Sequence, residues 1–340
     1  MAQLSRQAKI NQETPRTRRR RLVLALLAVG LLLQGLALKA SEKPGWRLEE
    51  VLSIGGLQSD LLSMWVGLAV DGEGYIYLTD NVQCSLLKLD PKGNLVKKSG
   101  HRGQKPGEFT APRRVDVQDK IVYVVDAGLA AVQVFDQELN FVRRIPLSYA
   151  VQDIQALPDG SLAVPGMILS RSEAGKVLVL DQAGRRLRSV TFRPAEKNTL
   201  LSMSKFVFAP SGEVFGALVW LDFIIKVNPQ GKVEWQTSLL GIKQVKTKKT
   251  LFLSVPEAIT YKDIALDPQG RPFVLGGHYS LHPQRDVYIL SPGDGRRLAT
   301  LTLPQASHCL YLDRQGFLYS RADNGMTLKK YKVIAPSNAP

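Results

Sequence analysis

From residue 46 onward, apolar and polar positions alternate in short runs separated by Gly, Asp, Asn and Pro. An alternation of period two, bounded by turn residues, predicts half-buried β-strands joined by tight turns. Residues 65–98 set the pattern: an apolar strand WVGLAV, a turn DGEG, an alternating strand YIYLTD, a third strand SLLKLD, a turn PKGN and a fourth strand LVKKS. The same order recurs five more times. The first turns fall at Gly74, Lys120, Gly160, Gly212, Gly270 and Gly316, in steps of 46, 40, 52, 58 and 46 residues. Four short strands in each of the first five copies, and three in the sixth, predict an all-β fold, a six-bladed β-propeller with four-stranded antiparallel blades. An irregular all-β sandwich is the alternative, and six register-matched copies argue against it.

The sixth copy holds only three strands. Its missing outer strand is expected from residues 46–54, paired with 327–334, because closing the ring hides an edge that an open sheet would expose. The propeller then spans 46–334, with 335–340 as a tail.

Composition changes the picture mainly at the N-terminus. The chain has 340 residues, 44% hydrophobic, with two cysteines, which excludes both a mainly disordered chain and a disulfide scaffold. A net charge of +15 at first suggests nucleic acid. Residues 1–21, however, carry seven basic side chains against Glu13 alone, six of the fifteen net charges. They form a basic tail ahead of the uncharged run 22–38, LVLALLAVGLLLQGLAL. A basic region before an apolar run reads as a signal anchor or a signal-peptide core, a transmembrane or signal helix, with 39–45 as linker. The arginines are expected to stay cytoplasmic, so the propeller is expected on the extracytoplasmic side, membrane-anchored, or secreted or periplasmic after cleavage. The basic charge is thus a topology signal, and no nucleic-acid partner is expected.

Between the first two copies the chain reads Gly100-His-Arg-Gly103-Gln-Lys-Pro-Gly107-Glu-Phe109-Thr-Ala-Pro112, followed by Val122-Tyr-Val-Val-Asp126 and preceded by Tyr75-Ile-Tyr-Leu-Thr-Asp80. The linker and these strand segments resemble six-bladed propellers of the NHL-repeat type. The resemblance covers residues 65–145 and implies the fold far more than an activity.

In such a propeller the first residues of the innermost strands gather at one end of the central channel. Trp65, Arg113, Arg114, Asp153, Lys205, Lys262, Asp263 and His308 are the candidates for that entrance. A ring of mixed charge suits a polar small ligand or a peptide, and equally an internal ion-pair network. The chain has four histidines. His278, His282 and His308 lie in the last two copies, where neutral imidazoles would bind Zn²⁺, or the site Ca²⁺, as in metal-dependent lyases and lactonases on related propellers. H-E-x-x-H is absent, and a loop histidine is more often simply solvated. Asp80 and Asp126 are expected to cap turns. Cys84 and Cys309 fall in neighbouring blades of a closed ring, with a disulfide and two buried thiols both open. Lys243, Lys246, Lys248 and Lys249 form a basic surface run, suited to anionic headgroups, to an acidic partner or to solvent alone. No P-loop, G-x-S-x-G or C-x-x-C occurs. The leading expectation is a non-catalytic ligand- or protein-binding module; the alternative is a metal-dependent lyase or hydrolase at the channel entrance.

Overall fold

The outermost strand of each blade is its most exposed one. In blade one, Trp65–Val70, Ile76–Asp80, Ser85–Leu89 and Leu95–Ser99 hydrogen-bond in that order, and the last strand is the most exposed. The computed structural model describes residues 45–192, 198–250, 254–322 and 325–336. Within them, six four-stranded antiparallel sheets make the six blades. The innermost strands are Trp65–Val70, Pro112–Gln118, Gln155–Ala156, Ser204–Phe208, Tyr261–Leu266 and Leu310–Leu312. The hydrophobic core lies between successive blades. Val124 and Phe135 of blade two, for example, pack with Tyr77 and Leu86 of blade one.

The turns explain why these residues form hairpins. Asp71, Asp90, Asp136, Asp181, Asp267 and Asp313 each accept backbone N–H bonds from residues up to four positions on, as Asp90 Oδ1 does from Lys92 (2.9 Å) and Asn94 (2.8 Å). The aspartate supplies acceptors that the turning backbone lacks. A one-residue register shift between the third and fourth strands recurs in blades one to five, at Leu89, Phe135, Leu180, Val227 and Leu290. Such bulges twist the outer strand relative to the sheet.

Closure is antiparallel. Arg47–Gly55 pairs with Thr327–Ile334, from Arg47 opposite Ile334 to Gly55 opposite Thr327, completing the sixth blade with a strand from before the first. Gly55 ends it at φ +81°, where a Cβ would stand 2.3 Å from Met326 O. Every described strand lies between Arg47 and Ile334, so this stretch carries the whole set of blades.

The apolar run 22–38 and its basic tail lie outside the described residues. Among those described, no helix is long and apolar enough to cross a membrane. Cys84 and Cys309 are free thiols; Cys84 is buried beside the carbonyls of Asn81 and Thr110. Lys248 and Lys249 lie in an exposed two-stranded hairpin, Thr247–Lys249 with Ser254–Pro256, rather than in an open loop.

Candidate functional site

Three of the innermost strands begin irregularly. Register shifts fall between Trp65 and Gly67, between Pro112 and Val115, and between Tyr261 and Asp263. A bulge takes residues out of the strict alternation of faces, so consecutive side chains can serve one region. Adjacent charged residues, Arg113–Arg114 and Lys262–Asp263, lie within two of these irregular starts.

Four of the predicted entrance residues form one ionic cluster. Arg114 lies between two carboxylates, with Nε 3.5 Å from Asp153 and an η-nitrogen 3.6 Å from Asp263. Lys205 Nζ donates to Asp153 Oδ2 at 2.9 Å. Backbone N–H groups satisfy the remaining oxygens, Ile154 on Asp153 (3.1 Å), and Ile264 (3.0 Å) and Leu310 (2.9 Å) on Asp263. Burial alone would raise the Asp153 carboxyl, but Lys205 and Arg114 outweigh it and hold the pKa below the usual range. Asp263 goes the other way, because its deeper burial exceeds what Arg114 and Lys205 return. Burial would lower Lys205, and the Asp153 charge raises it instead. The geometry is that of an internal ion-pair network.

Two cavities meet at this cluster, and Asp153 lines both. One, of about 280 Å³, runs down the channel past Arg114, Asp116, Phe208, Tyr311 and Asp313 towards the turns at Pro268 and Arg314. The other, of about 330 Å³, opens on the entrance side between blades three and four, with walls of Val151, Pro165, Met167, Leu169 and Met203 and a polar end at Asp153 and Lys205.

Asp116 is a site residue that the strand pattern did not single out. It accepts from Ala156 N at 2.7 Å and Val117 N at 2.9 Å, yet burial pushes its carboxyl up to about 6. The folded state therefore holds a proton that the unfolded state releases near its ordinary value of about 3.9. Stability is expected to fall as pH rises from about 4 to 6 by this contribution, and the fall should be absent in Asp116→Asn. Urea midpoints measured across that range for both proteins check it.

Trp65, at the head of its inner strand, is fully buried, so its ring presents no surface to a ligand; its indole Nε1 donates to Thr327 O at 3.3 Å, and its own carbonyl takes an η-nitrogen of Arg321 at 3.0 Å. An aromatic residue opening an inner strand here completes the core between blades six and one. Arg113 offers its carbonyl to the Thr79 hydroxyl, and its Nε is buried with no hydrogen-bond partner among the described residues.

The three histidines are held apart in their roles. His278 Nδ1 accepts from Ile259 N (3.1 Å), His282 Nδ1 meets Asp286 Oδ1 (2.9 Å), and His308 Nδ1 meets Lys262 Nζ (2.7 Å). Among the described residues no three His, Cys, Asp or Glu side chains converge where a metal ion would be held. The lone acid beside the pair, Asp286, is buried and also fixes His282 N and the Thr302 hydroxyl.

Asp80 and Asp126 cap turns and also bind the chain entering the same blade. Asp80 accepts from Val82 and Gln83 N with one oxygen and from Ser63 and Met64 N with the other. Asp126 holds Gly128 and Leu129 N while gripping Thr110 and Ala111 N. Asp222 takes Leu239, Leu240 and Ile242 N in blade four, a clamp that no sequence match had marked.

Fold and channel together define a six-bladed β-propeller. A family model described as a six-bladed β-propeller matches residues 65–215. No curated protein matches the sequence. Among solved structures, a streptogramin B lyase aligns over 85% of this chain and 98% of its own at 10% identity, with a TM-score of 0.57. Virginiamycin B lyase from Staphylococcus aureus aligns over 85% and 100% at 10% identity and TM-score 0.52. Hydrazine synthase of Kuenenia stuttgartiensis aligns over 81% and 84% at 18% identity and TM-score 0.51. At these identities the likeness is one of fold.

Proposed function

We propose that this propeller is a non-catalytic binding module that captures a small amphipathic ligand in the cleft between blades three and four. The observation that carries the reading is the cleft itself: about 330 Å³, apolar walls and a charged end at Asp153 and Lys205. That volume lies within the range of small-molecule pockets, which are mostly apolar with a few placed polar groups. Leu169 is 69% exposed and Met203 36%, so the rim presents apolar surface to solvent. A rigid ring supporting a loop-built pocket is how propellers commonly hold ligands.

The protein is further proposed to be exported and held at the membrane by the run 22–38 behind its basic tail. The first two blades are read as NHL-type. Phe109 of the linker is fully buried, and Gly100 and Gly107 adopt φ of +83° and +80°. A metal-dependent lyase reaction is the weaker reading, since the fold likeness to lyases transfers no chemistry and no three metal-ligating side chains converge among the described residues.

The neutral fluorescent probe N-phenyl-1-naphthylamine, titrated into residues 45–336, tests the cleft. Saturable binding that weakens about tenfold in Leu169→Arg supports it; each such step corresponds to about 1.4 kcal/mol. Binding that is absent, or indifferent to the substitution, overturns it.

A further inference from the structure

Across the mouth from that cleft, two cations stand without a carboxylate partner among the described residues. Lys262 is buried to 8% exposure, and its ammonium donates to Gln284 Oε1 at 2.6 Å and Ser307 O at 3.4 Å, and meets His308 Nδ1 at 2.7 Å. Its neighbour Asp263 is turned to Arg114 and to backbone N–H groups. Arg321 spends one η-nitrogen on Trp65 O, and its Nε is buried with no hydrogen-bond partner among the described residues. Neither Lys262 nor Arg321 has an ion pair among the described residues. Buried charges are normally neutralised by a partner, because leaving water is costly for an ion. Gln284, which receives the lysine, sits at φ +62°, a left-handed backbone unusual for a non-glycine residue and often found at functional sites.

Electrostatics agree with the geometry. Burial first, and then the Arg321 charge, push the Lys262 ammonium down to about 8, with only Cys309 acting against them. Burial, Lys262, Arg321 and His278 bring His308 down to about 4. His308 is therefore neutral at pH 7. Its Nδ1 accepts from the ammonium, which places the ring proton on Nε2, and the residue is exposed to the mouth. The three Lys262 N–H bonds are taken by Gln284, Ser307 and His308, so the donors left for a ligand are the His308 Nε2–H, on an exposed residue, and the remaining N–H groups of Arg321, whose backbone N–H bonds the Ser307 hydroxyl beside His308, with the buried Lys262 charge behind them.

We propose that Lys262, Arg321 and His308 form an anion site at the channel entrance, taking the oxyanion group, carboxylate or phosphate, of a small ligand. The site lies on a different wall from the apolar cleft and stands or falls independently of it. An anion beside Lys262 restores the counter-charge that the fold leaves out, and raises the affinity of that amine for its proton. The groups facing Lys262 are Arg321 from the second strand of blade six, His308 and Cys309 ahead of that blade's inner strand, and His278 beyond His308.

Sulfate is the suitable probe because it stays a dianion across the working range. The full chain in a neutral-headgroup detergent, titrated calorimetrically at constant chloride, is expected to bind one sulfate with a Kd of about 1 mM or tighter at pH 7. Above pH 8, where free Lys262 loses its proton, affinity should fall by about tenfold per pH unit and binding should take up about one proton. Lys262→Arg should keep binding and lose the pH dependence. Lys262→Met should weaken binding at least about tenfold at pH 7. Acetate and inorganic phosphate, compared at pH 7, distinguish a carboxylate from a phosphate as the natural group. No saturable sulfate binding at pH 7, or an unchanged pH dependence in Lys262→Arg, overturns the assignment.

Discussion

Removal of residues 46–55 is expected to abolish the cooperative unfolding transition of the propeller, or to lower its urea midpoint to the edge of detection. These residues contain the strand Arg47–Gly55, whose partners run from Ile334 to Thr327. Ile54 is buried against Trp65 and Leu328, while Leu52, Trp46 and Leu48 pack half-buried against the cores on either side of blade six. A fully buried aliphatic side chain contributes about 1.5–3 kcal/mol. With the half-buried three, the strand carries on the order of 5 kcal/mol, against a total stability of roughly 5–15 kcal/mol for a native protein. Its loss also bares the Thr327–Ile334 edge, which then invites pairing with other chains. Chemical denaturation and light scattering on the deleted protein check both consequences, and a synthetic peptide of residues 46–55 should restore the transition. A transition as sharp and as late as that of the parent would show that the ring does not depend on this closure.

Arg114→Met is expected to cost about 3–5 kcal/mol, since removing one member of a buried ion pair leaves an uncompensated charge. The charge at risk is Asp263, whose side chain is 4% exposed and whose pKa burial already raises. Asp153 is protected, because Lys205 remains at 2.9 Å. The sign with pH follows. A raised Asp263 pKa means that the folded state takes up the proton first as pH falls, so acid relieves the defect. The difference in unfolding free energy between Arg114→Met and the parent should therefore be largest near pH 7 and shrink toward pH 5. Adding Asp263→Asn to Arg114→Met should recover most of the loss, because the two positions belong to one network and their effects are not additive. A pH-independent penalty that Asp263→Asn leaves untouched would place the effect in packing rather than charge.

Legibility of the molecule from its residues was uneven for identifiable reasons. The blades were legible because the strand period and the aspartate-led turns are local, as at Asp90 with Lys92 and Asn94. Asp80 and Asp126 were half legible. Their turn-capping bonds span two or three residues, whereas their bonds to Ser63, Met64, Thr110 and Ala111 span about sixteen. The burial of Trp65 was not legible, because an aromatic residue at the head of an inner strand looks the same in sequence whether it faces a channel or a neighbouring blade. Arg321, Gln284 and Asp116 escaped notice altogether, and their contacts explain why. Arg321 reaches Trp65 across 256 positions, and Asp116 reaches Ala156 across 40.

Strands and turns in six repeating units follow from residue order alone, because alternation and turn chemistry act over a few residues. So do the number and type of charged groups at the heads of the inner strands. Which of those charges neutralise one another, Arg114 with Asp153 and Asp263, and which have no carboxylate partner among the described residues, Lys262 and Arg321, is settled in the folded ring. That choice depends on distances across a channel between residues far apart in the chain, and on how completely each is withdrawn from water. Both come into being only when the ring closes.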